Sequence, residues 1–155
     1  MAAEAEPAPC RVVTVERRPT AVIKVRVPMD EIPQAQRAAR KTIAEVLPGL
    51  DTGGVGDGVT LWRMPTDGRL YMEPGVLVER GFAAAGAVVP SEVPSGRAAH
   101  YLLHGSYEGL PGAWQLLFDW CKAQNLALAG INWEIYGGPH DDPSTQTTSL
   151  YALLA

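Results

Sequence analysis

The chain has 155 residues, 46% of them apolar and 19% charged. That supports one packed domain, or two fused halves sharing a core, and excludes a disordered chain. The formal net charge of −4 argues against nucleic acid, whose phosphates need a clustered basic surface.

Residues 1–9 are acidic and Pro/Ala-rich, lack the apolar run of a signal peptide, and are expected to form a disordered tail ahead of a domain over 10–155. Arg11 to Glu16 and Ala21 to Val27 are rich in β-branched residues and are predicted to be strands joined at Arg18-Pro19. Met29-Asp30-Glu31 opens a helix, with acids in the first turn where the helix dipole favours them. Ile32, Ala35, Ala39, Ile43, Val46 and Leu47 then recur at helical spacing until Pro48-Gly49. Val59 to Met64 and Leu70 to Glu79 read as a hairpin around Thr66-Asp67-Gly68. An Ala/Gly-rich link follows from Arg80 to Pro90. Strands are predicted again over Val88 to Val93 and Arg97 to His104. Leu110, Ala113, Trp114, Leu117, Trp120 and Cys121 line one face of a second helix ending near Asn125. Leu128 to Tyr136 is a strand, Gly137 to Pro143 a loop, and Leu150 to Leu154 the last strand.

These elements are written twice. Ile32-Pro33 and Leu110-Pro111 each open a helix after an acidic turn, at an offset of 78 (111 minus 33). Gly58-Val59-Thr60-Leu61-Trp62 and Gly130-Ile131-Asn132-Trp133-Glu134 correspond at an offset of 72 (130 minus 58). The extra six residues of the first copy fall in its Gly-rich linker, Gly53 to Gly58. The half-repeats span about 10–80 and 86–155. The expectation is an α+β fold: a duplicated strand-strand-helix-strand-strand unit, two antiparallel sheets, and two helices around a central pseudo-twofold groove.

Side chains alternate faces along a strand. Trp133 and Ile135 share an apolar face, expected to cover a helix. Asn132, Glu134 and Tyr136 share the other, and a mid-strand Glu is disfavoured unless it meets water or has a function. The 72-residue offset makes Trp62 the counterpart of Glu134 and Met64 that of Tyr136. If the pseudo-axis joins these faces, one groove holds a carboxylate among aromatic side chains, suited to a flat lipophilic cation. The plain alternative is that Glu134 faces solvent and Trp62 is half-buried surface. Tyr107, near the start of the second helix, could point into the groove or cap the core. Trp114 and Trp120 read as core. Arg17, Arg18, Lys24, Arg26, Arg37, Arg40 and Lys41 read as solvated faces, and Asp141-Asp142 as a solvated loop. Cys10 in the tail and Cys121 on a helix face argue against a disulfide framework and fit a reducing compartment. His100 and His104 share a strand face, but with no Cys or paired acid nearby no metal site is expected. No cofactor motif or catalytic elbow occurs, and no apolar run is long enough to span a bilayer.

Pro94-Ser95-Gly96-Arg97, His104-Gly105-Ser106-Tyr107-Glu108, Ala113-Trp114 with Leu117 and Trp120, Trp133-Glu134-Ile135-Tyr136, Asp142-Pro143 and Thr148-Ser149-Leu150-Tyr151 are together similar to the GyrI-like small-molecule-binding domain, which also serves as the effector-binding domain of AraC-type and some MerR-type regulators. Tyr71-Met72-Glu73-Pro74-Gly75-Val76 fits the same pattern in the first half. The resemblance runs from Arg11 onward. It departs at Ser106, where the family has Pro, and no helix-turn-helix segment precedes the domain, so a standalone form is expected. The resemblance implies a central pocket in which the acid at Glu134 faces cationic, lipophilic aromatic ligands, with Trp62, Tyr136, Met64, Tyr71, Tyr107 and Asn132 as further ligand-binding positions. It leaves three functions open. The first is drug or effector binding, or sequestration, by a cytoplasmic protein without cofactor or metal. The second is a hydrolase of cyclopropane-containing DNA-alkylating natural products, with Glu134 and Tyr136 catalytic. The third is a gyrase-inhibitor-like interaction with a protein partner, either gyrase or a regulator. Direct nucleic-acid or membrane binding is not expected.

Overall fold

The computed structural model describes residues 9–137 and 145–155. The tail before Pro9 and most of the loop predicted from Gly137 to Pro143, including Asp141-Asp142, lie outside them.

The first half comprises β1 (Cys10–Val15), β2 (Arg18–Ile23), β3 (Val25–Pro28), a 3-10 turn (Met29–Glu31), α1 (Ile32–Val46), β4 (Val55–Arg63) and β5 (Arg69–Val78). The second comprises β6 (Val88–Val93), β7 (Gly96–His104), a 3-10 turn (Tyr107–Gly109), α2 (Leu110–Ala123), β8 (Leu128–Gly137) and β9 (Thr147–Leu154). The 78-residue offset holds at element boundaries: β1 maps onto β6, the turn at Met29 onto that at Tyr107, and the start of α1 onto the start of α2. Both helices carry Pro in the first turn, where its missing N–H has no intrahelical partner to lose. The strand predicted over Ala21 to Val27 is two, broken at Lys24, and together they match the single β7.

The two expected sheets are joined edge to edge through β4 and β8 into one antiparallel sheet of nine strands. The order is β1-β7-β9-β8-β4-β5-β2-β6, with β3 also pairing β5. Replacing each strand by its counterpart in the other half gives the same order read backwards. The pseudo-twofold axis therefore passes between β4 and β8. It runs through the pair Leu61 and Trp133, which are equivalent in sequence and directly opposite in register. Each half lends its first strand to the other: β1 pairs β7, and β6 pairs β2.

Both faces of the sheet are cored. On the outer face, α2 packs against Cys10, Ala99, Leu103, Leu150 and Ala152, while α1 packs against Ala21, Val78 and Val88. On the inner face, Val59, Leu61, Leu77, Val93, Ala98 and Trp133 form a third cluster, joined by Val15 and Ile135. This cluster draws on both edge strands, so the sheet curls around it. Trp133 and Ile135 consequently turn away from the helices, contrary to expectation: the curled sheet buries its inner face against itself. Trp133 stacks on Tyr151 there, with centroids 5.2 Å apart. Cys10 is not in the tail but is a buried residue of β1, in the same cluster as Cys121, and both thiols are free. Gly75 is dictated by this packing, because any Cβ there would collide with the Ala21 carbonyl oxygen on β2.

Candidate functional site

On the outer face the two helices flank the β4–β8 seam and leave a cavity of about 1000 Å³ between them. Cross-strand pairs share a face, so the pairs Gly58–Tyr136, Thr60–Glu134 and Trp62–Asn132 all point outward. The next pair, Trp62–Met72, extends this floor onto β5. Ile32, Gln36 and Arg40, spaced by four, present one stripe of α1 to the cavity; Leu110 and Trp114 do the same from α2. Met29, Arg37 and Tyr107 stand at the rim, and Tyr107 is 41% exposed.

Glu134 lies half-buried on the floor. Its Oε2 accepts a hydrogen bond from Trp114 Nε1 at 2.6 Å, and its Oε1 accepts one from Tyr136 Oη at 2.6 Å. Burial pushes the carboxyl above the ordinary carboxylate range, against the opposing pull of those two donors and of the Arg40 charge. Tyr136 is pushed well above the usual phenol range, first by burial and then by the Glu134 charge.

Arg40 extends this arrangement. Its guanidinium donates to Gln36 Oε1 at 3.1 Å, Gly75 O at 3.1 Å, Val59 O at 3.2 Å and Thr60 Oγ1 at 2.8 Å. It lies over the Tyr136 ring, 5.1 Å from the centroid. Gly58 makes room for that stack, since a Cβ there would sit 3.2 Å from Tyr136 Cδ2 and 3.4 Å from Arg40 Nη1. Gln36 Nε2 also donates to Thr60 Oγ1, at 3.1 Å. A hydroxyl oxygen has two lone pairs, so Thr60, accepting from both Arg40 and Gln36, has only its own proton left to give. That proton goes to Tyr136 Oη, 2.8 Å away, and the Tyr136 proton goes to Glu134. The result is a directed chain from guanidinium to carboxylate.

The aromatic side chains pack in two groups. Trp62 meets Trp114 edge to face at 4.9 Å, Trp114 stacks on Phe118 at 5.3 Å, and Tyr107 meets Tyr136 edge to face at 5.5 Å. Of the positions expected from sequence, Glu134, Trp62, Tyr136 and Tyr107 thus line one cavity. Asn132 shares their face but is buried, and its amide donates to the Met64 sulfur at 3.7 Å rather than lining the cavity. Met64 lies beyond the end of β4, 50% exposed and outside the cavity. Tyr71 is on the opposite face, because Met72 is the β5 residue paired with Trp62; its hydroxyl donates to Glu73, which also accepts from Ser91.

Sequence reasoning missed Arg40 and Gln36 as cavity residues: Arg40 reads as part of a solvated face and Gln36 draws no reading. Their only signal is their i, i+4 spacing beside the apolar stripe of α1. Trp114 reads as core and is buried in the cluster under α2, and the same ring also lines the cavity. No cluster of His, Cys, Asp or Glu able to hold a metal occurs among the described residues. Among them, no helix is long and apolar enough to cross a membrane.

A duplicated α+β body with an aromatic cavity and a half-buried acid beside its pseudo-axis has the form of a small-molecule-binding domain. The comparisons agree: residues 8–153 match the GyrI-like small molecule binding domain, and the chain belongs to that family. No curated protein matches it in sequence. Among solved structures it resembles the EcmrR C-terminal domain, with a TM-score of 0.76 and 13% identity over 94% of this chain and 96% of that one. It also resembles SAV2435 bound to tetraphenylphosphonium, with a TM-score of 0.72 and 11% identity over 94% and 93%. A third likeness is to a hydrolase encoded by lin2189 from Listeria innocua, with a TM-score of 0.60 and 11% identity over 94% and 91%.

Proposed function

We propose that this chain binds hydrophobic, flat aromatic molecules between α1 and α2, with Glu134 meeting a positively charged or N–H-bearing group of the ligand. The observation that carries this reading is a carboxylate on the floor of a large cavity walled by Trp62, Trp114, Tyr107 and Tyr136. Ligand sites are mostly apolar with a few placed polar groups, and this cavity stands at the upper end of the usual size range. The binding of tetraphenylphosphonium by SAV2435 supports a lipophilic, aromatic occupant. A set of planar aromatic dyes, charged and uncharged, should bind one per chain with Kd in the micromolar range, about −7 to −8 kcal/mol. Quenching of Trp62 and Trp114 fluorescence reads the binding, and Trp114→Ala should weaken every dye. Failure of all dyes to bind would reject the proposal.

One observation favours hydrolysis as a second reading: an acid raised by burial and paired to a tyrosine has the form of a general base. Glu134 would take a proton from water as the water oxygen bonds to a ring carbon; the strained C–C bond breaks, its electron pair passes into the carbonyl conjugated to the ring, and the proton held by Glu134 completes the ring-opened product, while Tyr136 holds the carboxylate in place. The likeness to the lin2189 hydrolase is consistent with this. Incubation with a cyclopropane-bearing alkylator distinguishes the readings. Multiple turnover abolished by Glu134→Gln and by Tyr136→Phe supports hydrolysis, whereas stoichiometric protection without ring-opened product supports binding alone.

A further inference from the structure

The cavity contains its own cation. Resting on the binding reading above, we infer that Arg40 is the built-in counter-ion of Glu134, and that it selects neutral aromatic ligands carrying an N–H or O–H donor over permanent lipophilic cations. Three observations carry this.

First, Arg40 already occupies the face of Tyr136 that a ligand cation would use. Its guanidinium lies 5.1 Å from the ring centroid, and an aromatic face is the favoured seat of an organic cation. Arg40 cannot readily swing aside, because four hydrogen bonds fix it to α1, β4 and β5, two of them to backbone carbonyls.

Second, the carboxylate is answered before any ligand arrives. Trp114 and Tyr136 donate to its two oxygens, and the proton order set by Arg40 and Gln36 through Thr60 aims the Tyr136 proton at Oε1. A ligand cation therefore adds little that the walls do not supply. A neutral N–H or O–H donor can still engage a carboxylate lone pair without repulsion.

Third, among the described residues the charges lining the cavity lean towards positive: Glu134 is the one acid there, against Arg40 inside and Arg37 at the rim. Among the described residues Arg37 makes no ion pair. In a partly desolvated space, like charge weakens binding more than it would in water. A carbonyl or other acceptor at the outer end of the ligand fits that rim.

Acridone and 10-methylacridinium test this. Both are flat tricyclic fluorophores of similar size; the first is neutral with an N–H and a carbonyl, the second a permanent cation without a donor. Wild type should bind acridone about tenfold or more tightly than 10-methylacridinium, tenfold corresponding to ~1.4 kcal/mol. Arg40→Met should reverse or flatten that ratio, and Arg40→Lys, which keeps the charge, should retain it. Thermal unfolding of each variant checks that the Gly75 and Val59 contacts have not cost the fold, and Arg40→Gln, uncharged but still a donor, carries the comparison if Arg40→Met unfolds. Stronger binding of the cation by wild type, or a ratio that Arg40→Met leaves unchanged, overturns the inference while leaving the binding function standing. Absence of binding by either probe overturns both.

Discussion

At Glu134 two physical demands oppose each other. Burial disfavours the charged carboxylate, and two short donors and a nearby guanidinium favour it; burial prevails, so the group titrates above its unfolded value. The sign for stability follows. Between the ordinary carboxylate value and the raised one, the folded state holds a proton that the unfolded chain has released. Stability is greatest below that window and falls as pH rises through it. Unfolding temperature measured against pH should show this decline in wild type and lose it in Glu134→Gln. Tyr136→Phe removes one donor from the carboxylate and should move the decline to still higher pH. The same Gln substitution leaves Arg40 unopposed. It should weaken a cationic probe more than a neutral one, by roughly 1 to 3 kcal/mol in calorimetry. Equal losses for the two probes would show that the carboxylate charge is not what the ligand meets.

At the scale of elements, α1 and α2 each serve both the core and the cavity. Ala39 and Ile43 on α1, and Ala113, Leu117 and Cys121 on α2, are buried against the sheet. Ile32, Gln36 and Arg40 line the cavity from α1, and Leu110 and Trp114 do so from α2, where Trp114 is at the same time part of the core cluster. Trp114→Phe keeps the ring stack with Phe118 and Trp62 but removes the indole N–H from Glu134. It should lower the unfolding temperature through the smaller buried ring and move the pH dependence of ligand binding upward because Glu134 loses a donor, and a purely structural Trp114 would not produce the second effect. The core stripes were legible in the sequence because apolar residues recur at helical spacing. The wall was not: Gln36 and Arg40 are polar side chains at a stripe's margin, which look the same whether they face a cavity or water, and Ile32, Leu110 and Trp114 are indistinguishable in sequence from core. Strand parity read Glu134, Tyr136 and Trp62 onto one face. It could not supply the register between β4 and β5, which turns Tyr71 away, nor the end of β4 at Arg63, which strands Met64 outside. Parity also separated Trp133 from Glu134 correctly. The helix was the wrong partner for Trp133 because a sequence does not reveal that a sheet curls enough to bury its second face.

At the scale of the whole molecule, the duplication was visible in the sequence, and the strand exchange that ties the halves together was not. Internal similarity identifies equivalent residues but says nothing about which copy a strand pairs with. Here β1 crosses to β7 and β6 crosses to β2. Each core cluster therefore needs both halves. Cys10 from the first enters the cluster under α2, Val88 from the second enters that under α1, and the inner cluster joins Leu61 and Leu77 to Val93 and Trp133. Neither half can complete a core alone, and each would also expose the β4 or β8 edge that the seam pairs. Cutting the chain in the exposed segment between Arg80 and Gly86 interrupts neither a named strand nor a helix. The two fragments should remain associated after such a cut and should unfold together. Each fragment prepared separately should lack a cooperative thermal transition by circular dichroism, and equimolar mixing should restore both the transition and dye binding. A first-half fragment that melts cooperatively by itself would mean that the exchanged strands contribute little, and that the cavity lies between two independent bodies rather than within one.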